Sequence, residues 1–187
     1  MPFSIETERL ILRDFLKEDT EIIVKQFAEP VIRNQILNNQ ADKNYTREYV
    51  RRSIIVADQQ PRTYFALAVT LKNVETVIGS CSIYNVYPES VDCAIGWNFD
   101  KNFWGKGYAT EISKVLISFG FEVYDVSLIS AECFADNGAA MRVLEKSGMT
   151  LCDSGFISQW LRAMKYRETK PIIKYCIWGN QLIEKIN

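Results

Sequence analysis

Two glycines at alternate positions, Gly105 and Gly107, punctuate the segment Asn102-Phe-Trp-Gly-Lys-Gly-Tyr-Ala109. An apolar run ending at Phe99 precedes it, and helical spacing begins near Thr110. A strand-to-helix junction of this composition can wrap an anion. Glycine takes backbone angles closed to other residues and brings N–H groups against a phosphate with no Cβ in the way. The helix that follows adds unpaired N–H donors and a partial positive charge. Spacing excludes two familiar phosphate loops. A Gly-x-x-x-x-Gly-Lys-Ser/Thr loop fails, because Asp100 stands five residues before Gly105 and Gly107 follows Lys106. A dinucleotide fingerprint fails, because Thr110 would hold its third small position and no first βαβ unit precedes it. On spacing alone, a phosphate site and a simple tight turn both stay open.

Composition narrows the chemistry further. The chain has no histidine, which removes the usual neutral-pH base, Ser-His and Cys-His nucleophile pairs and the commonest metal ligand. The five cysteines (Cys81, Cys93, Cys133, Cys152 and Cys176) are scattered without a Cys-x-x-Cys, so core thiols in a reducing cytosol are expected and a zinc site is not. A net charge of -1 argues against a nucleic-acid partner, and Arg47, Arg51 and Arg52, diluted by Glu48, read as a solvated helix face. The amino terminus lacks the pattern of a signal peptide, and no apolar run approaches membrane-spanning length. A cytoplasmic protein without membrane contact is expected. With 187 residues and 48% hydrophobic content, one domain spanning 1–187 is the natural expectation.

The elements that must position the glycine segment follow from periodicity. Leu10-Ile-Leu12 reads as a first strand, and Ile22, Ile23 and Phe27 mark a first helix closed by Pro30. Residues 31–45 read as a mobile connection. Thr46 is the expected N-cap of a second helix carrying Tyr49, Val50, Ile54 and Ala57. Runs 64–70 and 77–84, joined by Lys72-Asn73, form an expected antiparallel pair, and 91–99 is a third strand. Ile112, Val115, Leu116 and Phe119 give the next helix its apolar stripe. A strand over 126–134 precedes a helix starting at Asp136-Asn137 and capped by Gly148. Strands near 150–157 and at 172–178 close the order. It predicts a mixed sheet with covering helices and the glycine segment at a strand's carboxyl end.

Three motifs in order carry a resemblance. Trp104-Gly-Lys-Gly-Tyr-Ala109 resembles the acyl-CoA pyrophosphate loop of the GNAT acetyltransferase superfamily, Arg/Gln-x-x-Gly-x-Gly/Ala, with Trp104 in its first place and Gly107 and Ala109 matching. Ala131-Glu-Cys-Phe-Ala-Asp-Asn137, continuing through Met141-Arg-Val-Leu-Glu-Lys-Ser-Gly148, is similar to the family's strand, Asn and following helix. Thr7-Glu-Arg-Leu-Ile-Leu-Arg13 resembles the opening strand of the branch that acetylates ribosomal-protein N-termini.

This likeness implies an α+β, GNAT-like fold: a mixed, mostly antiparallel twisted sheet of six to seven strands with about four flanking helices. It implies direct transfer from acetyl-CoA, as co-substrate and without a metal, to a primary amine on a protein N-terminus or a small molecule. Strands 91–99 and 128–134 are expected to splay. Trp97, Asn98 and Phe99 then meet pantetheine through their backbone. Trp104, Gly105, Lys106, Gly107, Tyr108, Ala109 and Thr110 surround the pyrophosphate, and Asn137 holds the pantetheine arm. The plain alternatives are core side chains at Trp97 and Phe99 and a helix cap at Asn137. Glu132, five residues before Asn137, matches the position of a catalytic glutamate, with Asp92 in reserve. The alternatives for Glu132 are a solvent-facing strand residue or an ion-pair partner. Two departures stand out: Ala140 and Leu144 replace the Ser and Tyr that protonate the leaving thiolate, and Ala94 replaces an acidic residue. Water or Tyr175 would then donate. A non-catalytic acyl-CoA-binding module is the rival reading, with thiol chemistry at Cys133 a distant third. The chain is expected as a monomer or homodimer.

Overall fold

The computed structural model describes residues 3–36, 42–85, 92–152 and 171–179. Eight strands form one sheet: β1 (Ser4–Glu6), β2 (Leu10–Asp14), β3 (Tyr64–Leu71), β4 (Val74–Asn85), β5 (Asp92–Phe99), β6 (Leu128–Phe134), β7 (Thr150–Leu151) and β8 (Ile172–Trp178). Their order is β1-β2-β3-β4-β5-β6-β8-β7. Every neighbouring pair is antiparallel except β5–β6, which is parallel and joined through a helix, as parallel neighbours require. The sheet is thus mixed and mostly antiparallel, with β1 added to the expected strands. Of the strand expected over 150–157, Thr150–Leu151 is seen, and the remainder from 153 lies outside the described residues, as does Val91.

The helices are α1 (Thr20–Ala28), α2 (Pro30–Arg33), α3 (Lys43–Ala57), α4 (Tyr108–Tyr124) and α5 (Gly138–Lys146). Pro30 ends one helix and begins another. It forces Glu29 into an extended conformation (ψ 126°) and then occupies the first turn of α2, where its missing N–H costs nothing. Within the expected connection over 31–45, residues 37–41 lie outside the described residues. The cap of α3 differs from expectation: Asp42, not Thr46, accepts the N–H groups of Asn44 and Tyr45 at 2.9 and 3.0 Å. Thr46 is buried inside the helix, where its hydroxyl donates back to the Asp42 carbonyl.

Alternation along the strands sends side chains to two cores. Leu67, Val69, Ile83, Ile95 and Ile129 pack with Ile112, Leu116 and Ile117 of α4. Ala66, Ala68 and Val77 on the other face meet Ile23 and Phe27 of α1 and Val50 of α3. Ile112 and Leu116 are fully buried, each worth about 1.5–3 kcal/mol against exposure. That anchors the helix whose first turn carries the glycine segment. Cys81, Cys93 and Cys133 are buried thiols as expected, whereas Cys152 and Cys176 are joined by a disulfide. The β7–β8 pairing brings these two within 5.9 Å at Cα, a proximity their separation in sequence conceals. Among the described residues, no helix is long and apolar enough to cross a membrane.

Candidate active site

Phe99 ends β5, a short 3-10 turn covers Lys101–Phe103, and α4 starts at Tyr108. Between them Gly105 and Gly107 take φ of 73° and 81°, the left-handed region that side chains resist. Among the described residues, the N–H groups of Gly105, Lys106, Gly107, Tyr108, Ala109 and Thr110 have no hydrogen-bond partner. Six consecutive amide donors at a helix N-terminus are an arrangement that can cradle an anion. Trp104 departs from this set. Its amide donates to Lys101 and its indole Nε1 donates to the Phe99 carbonyl at 2.8 Å, so it braces the turn instead of offering a donor.

The parallel pairing of β5 with β6 stops at Ala94–Ser130, and beyond it the strands separate. Carbonyl directions fix which residues line the opening. The Cys93 carbonyl accepts from Ser130 on β6, and the Asn98 carbonyl lies against Gly79 on β4. Because alternate residues point to opposite edges of a strand, Ile95 gives its N–H to the last of the pairing, and Trp97 and Phe99 present their main chain to the opening. Asn98 is turned into the β4 pairing and is a less direct candidate. The Phe99 side chain is core and that of Trp97 packs against it, so the plain reading holds for their side chains while their backbones face the gap.

Glu132 lies on the face of the sheet opposite α4. Ser130 pairs with Ala94, Ala94 with Tyr84 and Tyr84 with Tyr64, which sets these side chains in one row on the face that α1 and α3 cover further along. Two residues further along, Gly96 and Glu132 share that face at the margin of the opening. Glu132 accepts no hydrogen bond from a described residue. Burial holds its carboxyl above the ordinary value of 4.5, although Lys174 beside it on β8 pulls the other way. Its charge is felt by Tyr84, whose phenol burial and that carboxylate together push up to about 12. Asp92 shares the face but lies at the paired end of β5, opposite Leu128.

Beyond the end of β6 the chain turns into α5, which packs against α4 and β6. Asn137 caps it, its Oδ1 accepting the Ala140 N–H at 3.0 Å, while its Nδ2 has no partner among the described residues. Capping consumes the oxygen alone. Leu144 is 1% exposed in the main core, and Ala140 is packed beside it. The Tyr175 hydroxyl donates to Glu145 at 3.0 Å, and Tyr175 lies opposite Ala131, on the α4 side of the sheet. Its hydroxyl proton is thereby committed to Glu145. Burial pushes the Cys133 thiol up to about 11, which keeps it protonated and inert as a nucleophile near neutrality.

Sequence reasoning left three residues without a role. Glu111, in the first turn of α4, accepts from the Thr7 hydroxyl and from the Arg9 main chain at 2.9 Å and Nε at 2.7 Å. Burial works against its charge, but these donors prevail and hold its carboxyl below the ordinary value. Arg9 also donates through Nη1 to the Lys106 carbonyl at 2.9 Å. The partners are 102 residues apart, and the sole trace in the sequence was Thr7 and Arg9 inside the opening-strand motif.

A family model of the acetyltransferase (GNAT) domain matches residues 9–150. Among curated relatives, the uncharacterised N-acetyltransferase p20 of Bacillus licheniformis is 25% identical over 142 residues, covering 75% of this chain and 79% of that protein. A GNAT-family acetyltransferase from Bacillus anthracis superposes with a TM-score of 0.75 at 22% identity, over 95% of this chain and 99% of that one. RimL, a ribosomal L7/L12 alpha-N-protein acetyltransferase solved with coenzyme A, gives 0.74 at 18% identity, over 94% and 98%. At such identities these two structures speak for the fold.

Proposed function

Because this chain belongs to the GNAT acetyltransferase family, we propose that it transfers acetyl directly from acetyl-CoA to a primary amine, with Glu132 as general base. Acetyl-CoA supplies an activated thioester, so the protein needs to orient it, receive oxyanion charge and move protons. The residues present suit that group. Six amides from Gly105 to Thr110, unpaired among the described residues, match a diphosphate, the open backbone at Trp97 matches the amides of a pantetheine arm, and Asn137 Nδ2, likewise without a described partner, can donate. N–H groups on the free edge of β5 are aimed where carbonyl charge grows.

An amine must lose a proton to attack, and Glu132 takes it directly or through water. The raised proton affinity of its carboxyl makes it a stronger base than an exposed glutamate. With Ala140, Leu144 and Tyr175 unable to serve, water protonates the departing thiolate. The observation that carries this reading is the end of β5–β6 pairing at Ala94–Ser130, with Glu132 on one side of the gap and the amide cradle at its end. The acceptor is a protein N-terminus or a small-molecule amine.

Thiol release from acetyl-CoA, measured against a panel of peptides and polyamines, tests the proposal. Release should require an added amine and rise with pH. The absence of donors at Ala140 and Leu144 favours a second reading, a CoA-binding module without turnover. Tight CoA binding with no release across the panel would select it.

A further inference from the structure

Arg9 sits behind the amide cradle, and its guanidinium engages two groups of that segment at once. Nε and Nη2 each lie 2.7 Å from Glu111 Oε2, and Nη1 donates to the Lys106 carbonyl at 2.9 Å. The group also stacks over the Tyr108 ring, 4.7 Å from its centroid. A Cβ on Gly107 would come within 3.4 Å of Nη2. Residues 106 to 108 are therefore bound from one side by a single side chain.

The peptide plane gives this clamp its consequence. In a trans peptide the carbonyl of Lys106 and the N–H of Gly107 point in opposite directions. A hydrogen bond that fixes the carbonyl toward Arg9 fixes the Gly107 N–H away from it, into the mouth of the cradle. Glycine at 107 permits the plane to rotate, so the sequence of the loop alone does not choose the orientation. We propose that Arg9 is a positioning residue for acyl-CoA: it sets the Lys106–Gly107 peptide so that the Gly107 amide faces the diphosphate. This rests on the reading above that the cradle binds acyl-CoA. Glu111, held by Thr7 and by the Arg9 main chain, keeps the guanidinium in register. Only a planar fork spans a carboxylate and a carbonyl in this way, so lysine is not an equivalent.

The test compares wild type with Arg9→Met and Arg9→Lys, using acetyl-CoA and acetyl-pantetheine, which lacks the diphosphate. Arg9→Met should weaken CoA binding and raise the acetyl-CoA KM by about tenfold or more, the worth of a charge-assisted hydrogen bond. At saturating acetyl-CoA its kcat should stay within about twofold of wild type, because the reacting atoms are untouched. Arg9→Lys should fail to rescue KM, and acetyl-pantetheine should be used equally by all three proteins. Unchanged CoA affinity in Arg9→Met, full rescue by lysine, or an equal loss with both donors would overturn the inference. If Arg9→Met does not fold, Arg9→Lys and Glu111→Gln carry the same readouts, the latter with a smaller rise in KM. Failure of the underlying reading is distinguishable, since wild type itself would then bind no CoA.

Discussion

The amide-rich turn at the head of α4 and the carboxylate on β6 lie at one opening and are built by different means. The cradle is made of main chain. Its donors are amides any residue except proline could supply, and its shape depends on two glycines at positive φ and on Arg9 and Glu111 beside it. The opposite side is made of side chains. Glu132, Tyr84 and Tyr64 owe their placing to strand register across β3, β4, β5 and β6, and a one-residue slip would send each to the other core. On the proposed reading the cradle meets a diphosphate, which is the same in every acyl-CoA, so a backbone solution suffices. If the proposed transfer holds, amines differ where the diphosphate does not, and side chains on the other side can vary without disturbing the donor site.

The sharpest way to break this division is Glu132→Gln, which should lower amine-dependent turnover by about 10²–10⁴-fold while CoA affinity stays within about twofold. A comparable loss in CoA affinity would show that the two sides are not separate. Next in size, Gly107→Ala should raise the CoA dissociation constant about tenfold, since a Cβ at positive φ costs roughly 1–2 kcal/mol. Gly105→Ala meets the same backbone penalty in open space, so its effect measured by calorimetry should be smaller than at Gly107, where Arg9 is also crowded.

Stability should report the carboxylate's burial with a definite sign. The Glu132 carboxyl is held above 4.5 in the fold, so its ionisation opposes folding. Whatever stability its neutral form gives is present below the unfolded value and is lost as pH rises through the folded one. Glu132→Gln should therefore melt higher than wild type at neutral pH, and the difference should vanish on the acid side of 4.5, as thermal melts at both conditions would show. Smallest of all, Asp92→Asn should leave turnover within about threefold, far short of what loss of a general base causes. A deeper loss would transfer the base role from Glu132 to Asp92.

Legibility in the sequence followed the same line. Gly105, Gly107 and Gly148 stand where positive φ is required, and that demand leaves a mark on composition. The strand–helix order was readable because period 2 and period 3.6 alternate along the chain, and Asn137 because a cap has its own residue preference. What was hidden depended on contacts distant in sequence. Arg9 and Glu111 meet across 102 residues, the Cys152–Cys176 bond follows from strand pairing, and β1 is too short to show a period. The Asp42 cap was missed for another reason: Asp42 and Thr46 are both competent caps in a polar stretch, and burial of Thr46 decides between them.

The most direct measurement follows the backbone amides of residues 105–110 by NMR while CoA is titrated. The account predicts that Gly105, Gly107, Tyr108 and Ala109 shift together and saturate with the dissociation constant found by calorimetry, and that pantetheine, without a diphosphate, leaves them in place. CoA binding with those amides unmoved would contradict it.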